Sequence, residues 1–322
     1  MKNKIMRSWS RKKFDAYLKN RATEDLEAID AVDDFFLQRR GYVFRQPKAK
    51  ESVILLFSGG IDSTVAWATL IELYNYKVYP VIIDRGSKRR ARKELLAVRY
   101  LEKYFAKKYP DNYVEPFHLT VNTIAKEFSD TINPNFVSDQ EILHNFQQNK
   151  WLANDDSNVV LVRTRGVSPY LMPFYGVVYS NYLKFVNNIE IKNIFVGANF
   201  TDGSEVSSQS FTALRSTLFA ICTATADYSW NFSSVFLERE TGVLLEKGGT
   251  IALGAKLGVP LEKTWSCYGD GIFQCGDRCA TCVNRREGFA SVGIEDKTIY
   301  WSSLKEKILG YIKFHLSKLK FW

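Results

Sequence analysis

The sequence lacks a long hydrophobic run, and this absence bears on where the protein works. No stretch of 18 apolar residues occurs in the 322-residue chain, so we expect no transmembrane helix and no membrane partner. The basic residues at the start are not followed by an apolar segment and a small-residue cleavage site, so we expect no secretory signal. A cytoplasmic location is therefore predicted.

Internal repeats and low-complexity segments are also absent. Hydrophobic residues make up 46% of the chain and charged residues 25%, which is close to the average for soluble globular proteins. We therefore expect a sizeable buried core, arranged as one large domain with appendages or as two domains.

Acidic residues are fewer than basic ones. Lysine and arginine number 44 against 35 aspartate and glutamate, a net charge of +9. A basic balance suits either nucleic acid or an anionic small molecule such as ATP, and charge alone does not distinguish them. The motifs below favour the small molecule, so nucleic acid is not an expected partner.

Short apolar runs alternate with segments of helical spacing along the centre of the chain. Ser52–Phe57 is a nearly continuous apolar run, typical of a strand buried on both faces of a parallel sheet. Further strands are predicted at Lys77–Ile83, Tyr113–Leu119, Val159–Val162 and Asn193–Gly197, and helices at Ser63–Tyr74, Lys88–Tyr109, Pro169–Val186 and Ser210–Tyr228. The alternation predicts an α/β fold with a doubly wound parallel sheet, whose ligands lie at the carboxyl ends of its strands.

The first chemical motif is Ser58-Gly59-Gly60-Ile61-Asp62-Ser63, here called the glycine loop, between the first strand and a helix. Glycine allows a tight turn and lets a phosphate approach the backbone, and the following helix offers unpaired N–H groups and a positive dipole end. The loop is not a Walker A motif, because no lysine precedes its last serine. A phosphate-binding loop is therefore predicted.

Cysteine is sparse but unevenly placed, which predicts a second site. Cys222 stands alone in an apolar stretch, where a small buried side chain is the simplest interpretation. Four thiolates within sixteen residues suit tetrahedral zinc with no open position, a structural rather than a catalytic site. An iron–sulfur cluster and reactive thiols are the alternatives. The predicted ligands are Cys267, Cys275, Cys279 and Cys282.

The glycine loop matches the PP-loop of the ATP pyrophosphatase superfamily, whose members cleave ATP between the α and β phosphates. Together with Thr264-Trp265-Ser266-Cys267-Tyr268 and the Gly197-Ala198-Asn199 element, the chain resembles the 7-cyano-7-deazaguanine synthase (QueC) family from about Ser52 to Thr298. The resemblance implies a HUP-like, Rossmann-type fold, zinc on the four cysteines, and Mg²⁺ that lets Asp62 approach phosphates. It also implies that ATP is bound by Phe57, Ser58, Gly59, Gly60, Ile61, Asp62, Ser63 and Thr64.

The resemblance also implies a reaction and a division of the chain. A member of this family converts 7-carboxy-7-deazaguanine to its nitrile with ATP and ammonia, through an adenylated carboxylate and an amide, and a homodimer is favoured. We expect an N-terminal helical extension at 1–50, the PP-loop domain at 51–262, the cysteine module at 263–298 and an amphipathic helix at 299–322.

The sequence departs from the family pattern where the deazaguanine should bind. The family usually has Tyr-Gly-Gln after its second strand, where this chain has Ile83-Asp84-Arg85-Gly86. Its Tyr-Pro-Asp-Cys-Arg segment is replaced by Gly203–Phe211. The candidate substrate or phosphate residues are Asp84, Arg85, Arg163, Asn199, Asp202 and Arg215.

These departures leave alternative functions open. Relatives in antiviral defence systems carry extra termini, and some are thought to couple a deazaguanine to a protein amine, which would make a protein the acceptor. A tRNA-modifying PP-loop enzyme would need a sulfur-carrying cysteine, and only Cys222 is spare. A non-enzymatic ATP- or metal-binding scaffold is the remaining alternative.

Overall fold

The computed structural model describes residues 8–84, 88–120, 156–205, 207–268 and 272–305. In these ranges, one parallel sheet has the order β3-β2-β1-β4-β5. Its strands are β1 (Ser52–Leu56), β2 (Lys77–Asp84), β3 (Phe117–Thr120), β4 (Asn193–Val196) and β5 (Asn231–Ser234). The strand order reverses between β1 and β4, and such a switch point is where ligands of open parallel sheets bind.

Helices cover both faces of the sheet. They are α1 (Arg11–Lys19), α2 (Leu26–Arg40), α3 (Ile61–Glu72), α4 (Lys88–Lys108), α5 (Asp156–Asn187), α6 (Phe200–Glu205), α7 (Phe211–Thr225), α8 (Lys247–Lys256) and α9 (Ala280–Ser291). The predicted doubly wound α/β architecture is therefore confirmed.

Successive residues of β1 point into two separate cores. Val53 and Leu55 pack in the core that contains α3, α4 and α8. Ile54, between them, packs in the core that contains α1, α2, α5 and α7. Since both faces of β1 are covered, the strand is apolar at every position from Val53 to Leu55, as the sequence predicts.

One predicted strand is wrong, and another strand was missed. Val159–Val162 lies inside helix α5, because an apolar run of four residues cannot be distinguished by periodicity from part of a long helix. Strand β5 was missed because its buried side chains are mostly polar. Asn231 on β5 donates a hydrogen bond to the Asn193 side chain on β4 at 2.9 Å, which satisfies two buried amides.

The N-terminal helices α1 and α2 share a core with the sheet rather than projecting from it. Phe14, Leu18, Ile29 and Phe36 are fully buried there. A short antiparallel hairpin, β6 (Leu237–Glu238) and β7 (Val243–Leu244), lies after β5 and bridges to Ser8. The predicted division of the chain at residues 50, 262 and 298 stays a prediction.

The end of the chain is described only in part. Residues 301–305 are helical, and the rest of the amphipathic helix predicted to residue 322 lies outside the described residues. Within the part of the chain that the structure describes, no helix is both long and apolar enough to cross a membrane.

Candidate active site and cysteine cluster

The glycine loop joins the end of β1 to the start of α3. Gly59 adopts φ of 74°, and a Cβ atom there would lie 2.9 Å from Cγ2 of Val98, so both the backbone conformation and the space require glycine. Gly60 is the N-cap of α3 and supplies no side-chain hydrogen bond to the helix. The positive end of α3 therefore faces the carboxyl edge of the sheet.

Two hydroxyl groups line the loop. Ser58 Oγ and Ser63 Oγ lie 3.1 Å apart, and Ser63 Oγ accepts a hydrogen bond from the Ser58 N–H at 3.2 Å. Gly60 N–H approaches Ser58 Oγ at 3.4 Å. Backbone and side-chain donors thus converge on one small region, as anion binding requires.

The other residues predicted to bind ATP support the loop from beneath. Phe57, Ile61 and Thr64 are at most 3% exposed. Phe57 packs edge-on against Trp67 at 4.9 Å between ring centroids, and Thr64 Oγ1 donates to the Gly60 carbonyl at 2.7 Å. Their side chains therefore hold the loop in shape.

Asp62 is the centre of a charged cluster at the switch point. Its Oδ1 accepts a hydrogen bond from the Asn199 side chain at 3.0 Å, and its Oδ2 lies 2.5 Å from the Lys247 ammonium. Lys247 also lies 3.9 Å from Asp202. The predicted residues Asp62, Asn199 and Asp202, which are far apart in sequence, are thus brought together.

Asn199 also organises the start of α6. Its side-chain oxygen accepts hydrogen bonds from the N–H groups of Thr201 and Asp202 at 2.9 and 3.3 Å, and its own N–H donates to Asp202 at 3.2 Å. The side chain therefore caps one helix and contacts Asp62 with its amide group.

Lys247 is a functional candidate that the sequence did not reveal. It is the first residue of α8, and its side chain is only 13% exposed. Burial disfavours its ammonium, but Asp62 and Asp202 more than offset this and raise the pKa of Lys247 to about 12. No local motif marks this lysine, because it is 185 positions from Asp62 in the sequence and only the fold brings the two together.

Gly197, at the carboxyl end of β4, permits this convergence. A Cβ atom there would lie 2.7 Å from the backbone carbon of Asp62 and from the Ser63 nitrogen. Because real Cβ atoms do not approach backbone so closely, any side chain would push β4 away from the start of α3.

Three other candidate residues are described incompletely or not at all. Asp84 is the last residue of β2, and Arg163 lies within α5; only their backbone positions are described. Arg85 lies outside the described residues.

The placement of Arg215 corrects its interpretation as a substrate clamp. Arg215 is 1% exposed and forms an ion pair with Asp33 at 2.8 Å. Its guanidinium also forms a bidentate ion pair with Glu238, with hydrogen bonds of 2.7 and 3.1 Å. All three charged groups are buried. Its guanidinium is therefore committed to structural ion pairs.

The predicted cysteine cluster is confirmed as a group that could hold a metal. The four sulfur atoms lie within 4.8 Å of one another, with Cys275–Cys279 at 3.5 Å and Cys279–Cys267 at 3.9 Å. A tetrahedral zinc site with Zn–S bonds of about 2.3 Å needs sulfur atoms about 3.8 Å apart. The four thiolates therefore fit zinc, and the same ligand set could hold an iron–sulfur cluster.

Residues 261–266, which precede the cysteine cluster, contact the glycine loop. Trp265 N–H donates to the Gly59 carbonyl at 3.0 Å. Arg285, on α9, is fully buried and donates to the Leu261 carbonyl and the Thr264 hydroxyl, each at 2.8 Å. The Trp265–Gly59 hydrogen bond thus connects this segment to the glycine loop, and the two bonds from Arg285 connect the segment to α9.

A glycine loop of this kind, at the switch point of a parallel sheet, defines a PP-loop protein. The sequence model of "Queuosine biosynthesis protein QueC" matches residues 52–293, well over half of the chain. The chain therefore belongs to the QueC family.

Relatives align over most of the chain at low identity. The 7-cyano-7-deazaguanine synthase of Thermoplasma acidophilum is 27% identical over 84% of this chain and 99% of its own length. That of Persephonella marina is 28% identical over 77% of this chain and 96% of its own length. Similarity to the enzyme of Brucella anthropi is higher but local, 48% over 19% of this chain and 28% of that protein.

Similarity to solved structures is weaker. NMN synthetase from Francisella tularensis aligns with a TM-score of 0.34 at 13% identity, over 92% of this chain and 91% of that one. The U34-tRNA thiolase NcsA from Methanococcus maripaludis aligns with a TM-score of 0.32 at 13% identity, over 82% and 71%. Such remote alignments carry no functional argument.

Proposed function

We propose that this protein is an ATP-dependent carbon–nitrogen ligase that adenylates the carboxylate of 7-carboxy-7-deazaguanine and releases pyrophosphate. Ammonia then displaces AMP to form an amide. A second ATP adenylates the amide oxygen with release of pyrophosphate, and this oxygen leaves as part of AMP when the 7-cyano nitrile forms. The observation that carries the proposal is the cluster of Asp62, Asn199 and Lys247 beside the glycine loop. The cluster places the charges of Asp62 and Lys247 beside the hydroxyl and N–H groups of the glycine loop, which would bind phosphate.

The chemistry requires activation because a carboxylate has no good leaving group. Joining it to AMP supplies one, and the enzyme contributes mainly position and charge stabilisation. The proposed role of the glycine loop is to bind ATP phosphates through Ser58, Ser63 and the first N–H groups of α3. Lys247 would face the negative charge that develops on the departing pyrophosphate.

Two metals are part of the proposal. Asp62 is the residue that would hold Mg²⁺, which would screen the carboxylate from the phosphates and neutralise part of their charge. The four cysteines would hold zinc as a structural ion, because all four tetrahedral positions come from the protein.

The test is mass spectrometry of reactions that contain purified protein, ATP, magnesium, 7-carboxy-7-deazaguanine and ammonium. We expect AMP, pyrophosphate and the nitrile. Asp62→Asn should lose the activity, whereas Asp34→Asn, on an exposed face of α2, should keep it. Absence of AMP with both ammonia and protein amines as nucleophile would overturn the proposal.

A second candidate is a defence-associated ligase in which a protein amine attacks the adenylate. The observation that favours it is that α1 and α2, which precede the family match, pack beside α6 and α7. In the same reactions, AMP without nitrile, together with mass added to a protein, would support this second candidate.

A tRNA-modifying or non-enzymatic function has less support. Cys222 is fully buried, and burial raises its pKa to about 11, which opposes a sulfur-carrying role. The intact site around Asp62 does not favour a scaffold without activity.

We further propose a cytoplasmic homodimer without a membrane or nucleic-acid partner. Val178, Tyr182 and Phe185 form an exposed apolar stripe with i, i+4, i+7 spacing on α5, and Phe185 is 89% exposed. Light scattering should give twice the chain mass of 37.0 kDa. A monomer at micromolar concentration would contradict the dimer.

A further inference from the structure

The start of α6, which carries Asn199 and Asp202, is held from outside by the N-terminal helices. Phe200 directly follows Asn199 and is 1% exposed. The ring of Tyr17 lies 5.4 Å from the Phe200 ring, and the guanidinium of Arg21 lies over the same ring at 4.5 Å. Residues of α1 and of the turn after it therefore enclose the residue next to the Asp62 cluster.

A second contact holds the start of α7. Glu24 accepts hydrogen bonds from Phe211 N–H at 2.9 Å, Thr212 N–H at 2.9 Å and the Thr212 hydroxyl at 2.8 Å. Asp25 N–H also donates to Thr212 Oγ1 at 2.8 Å. A carboxylate at this position complements the positive end of α7, so the contact is charge-assisted.

A third contact fixes the body of α7 against α2. Asp33 on α2 pairs with Arg215 on α7, both buried, and the rings of Phe35 and Phe219 pack edge-on at 5.0 Å. The body of α7 is therefore held by α2, and the first turn of α7 is held by Glu24.

These contacts flank one stretch of chain, of which the structure describes residues 199–205 and 207–212, here called the acceptor segment. It leaves β4 beside Asp62, and it contains Gly203–Phe211, where the sequence departs from the family pattern. The N-terminal helices precede the family match, which begins at residue 52. The helices that precede the family match thus contact the acceptor segment near both of its ends.

We propose that α1, α2 and the turn between them form a clamp that sets the conformation of the acceptor segment, and that Glu24 is a positioning residue for the acceptor. This rests on the proposed function, in that an acceptor carboxylate binds beside the glycine loop. The clamp acts on the acceptor side and leaves the ATP side, formed by residues 58–64, unchanged. Through the acceptor segment, the clamp would favour binding of a heterocycle that bears a carboxylate. It would also favour the approach of the amine that attacks the adenylate of this carboxylate.

The test compares Glu24→Gln with Asp34→Asn, a change at an exposed residue in the middle of α2. Glu24→Gln keeps the shape of the side chain and removes the charge that faces the α7 N-terminus. We expect backbone hydrogen exchange at residues 199–202 and 210–213 to rise about tenfold, with residues 58–64 unchanged, because a helix-end charge is worth up to about this factor. Asp34→Asn should match wild type, and equal melting temperatures would exclude general unfolding.

Steady-state kinetics supply the readout that a merely structural contact would not move. The KM for 7-carboxy-7-deazaguanine should rise about tenfold in Glu24→Gln, with the KM for ATP unchanged within about twofold. Faster exchange with both KM values unchanged would overturn the positioning role, as would an equal rise in both.

Failure of the clamp and failure of the proposed function give different results. If wild type forms no AMP from the deazaguanine, the substrate assignment fails while hydrogen exchange still reports on the clamp. If hydrogen exchange in Glu24→Gln then equals that of wild type, the clamp is overturned. If exchange rises only at residues 199–202 and 210–213, the clamp is supported.

Discussion

In the proposed reaction, Lys247 would be the cation that acts on a nucleotide phosphate. Its ammonium is held against Asp62, so Mg²⁺ at that carboxylate would have to displace or share the contact. A lysine whose pKa is about 12 stays protonated at every working pH, which makes it a permanent positive charge beside the glycine loop.

We expect Lys247→Met to lower kcat/KM for AMP formation by about 100-fold or more, because one preorganised charge at a reacting phosphate is worth that much. The measurement is AMP release under steady-state conditions. Lys256→Met, at the exposed end of the same helix, is the matched control and should retain activity. Full activity in Lys247→Met would remove this lysine from the site.

Cys222 should be unreactive in the folded protein. Burial raises the pKa of its thiol to about 11, so only about one thiol in a thousand is ionised at pH 8. Labelling with iodoacetamide, read by mass spectrometry, should be negligible at pH 8 and should increase as the pH approaches 11. Complete labelling within minutes at pH 7 would contradict this prediction, and denatured protein gives the positive control.

At the scale of elements, the cysteine module contacts the glycine loop through the segment that precedes its first cysteine. The chain passes from α8 through the segment 261–266 to the cluster, and this segment touches Gly59. We therefore expect metal binding at the cluster to affect the geometry of the glycine loop.

We expect about one zinc per chain by elemental analysis, with little iron. Removal by a strong chelator should lower the melting temperature, because the four cysteines would lose the ion that joins them. Hydrogen exchange at residues 58–64 should rise as well. Iron with acid-labile sulfide in place of zinc would contradict the metal assignment.

Arg285→Ala should weaken ATP binding by the glycine loop, because Arg285 holds the segment that contacts Gly59. It removes the donors to Leu261 and Thr264 that hold the segment against the loop. We expect the Kd for ATP to rise about tenfold, since buried hydrogen bonds to a charged group are worth roughly 1.5–3 kcal/mol. Arg286→Ala, its exposed neighbour, is the control, and calorimetry of ATP binding is the measurement.

At the scale of the whole molecule, a buried network of charges joins the N-terminal helices to the rest. Asp33 contacts Arg215 at 2.8 Å and Arg239 at 3.1 Å, and Arg239 reaches Asp15 and Asp30. Burial raises the pKa of Asp33, and the two arginines oppose this rise. The helices are therefore held to the body by apolar packing and by compensated charge.

Asp33→Ala should destabilise the protein by about 3–5 kcal/mol, because it leaves two buried arginines short of a counter-charge. Denaturant unfolding gives the free energy. Asp34→Ala changes an exposed residue of the same type one position away and should shift it by less than about 0.5 kcal/mol. If Asp33→Ala changes the free energy of unfolding by less than about 1 kcal/mol, the prediction is wrong, and water or Glu238 compensates the charge of the arginines.

The sequence by itself was sufficient for features whose cause is local. A buried strand, a two-glycine turn and a helix start are neighbours in the chain, so the glycine loop, the sheet type and the four cysteines could be read from residue order. Val159–Val162 was misassigned because four apolar residues satisfy a strand and a helix equally.

Only the tertiary structure decided which distant charges meet. Arg215 has the sequence properties of a substrate clamp, yet its helix turns it towards Asp33, and Lys247 has no motif but lies against Asp62. Likewise, the packing of the N-terminal helices on α6 and α7 depends on contacts between residues more than 180 positions apart. Sequence periodicity reports which face of an element is buried, whereas the partner across that face depends on how the whole chain folds.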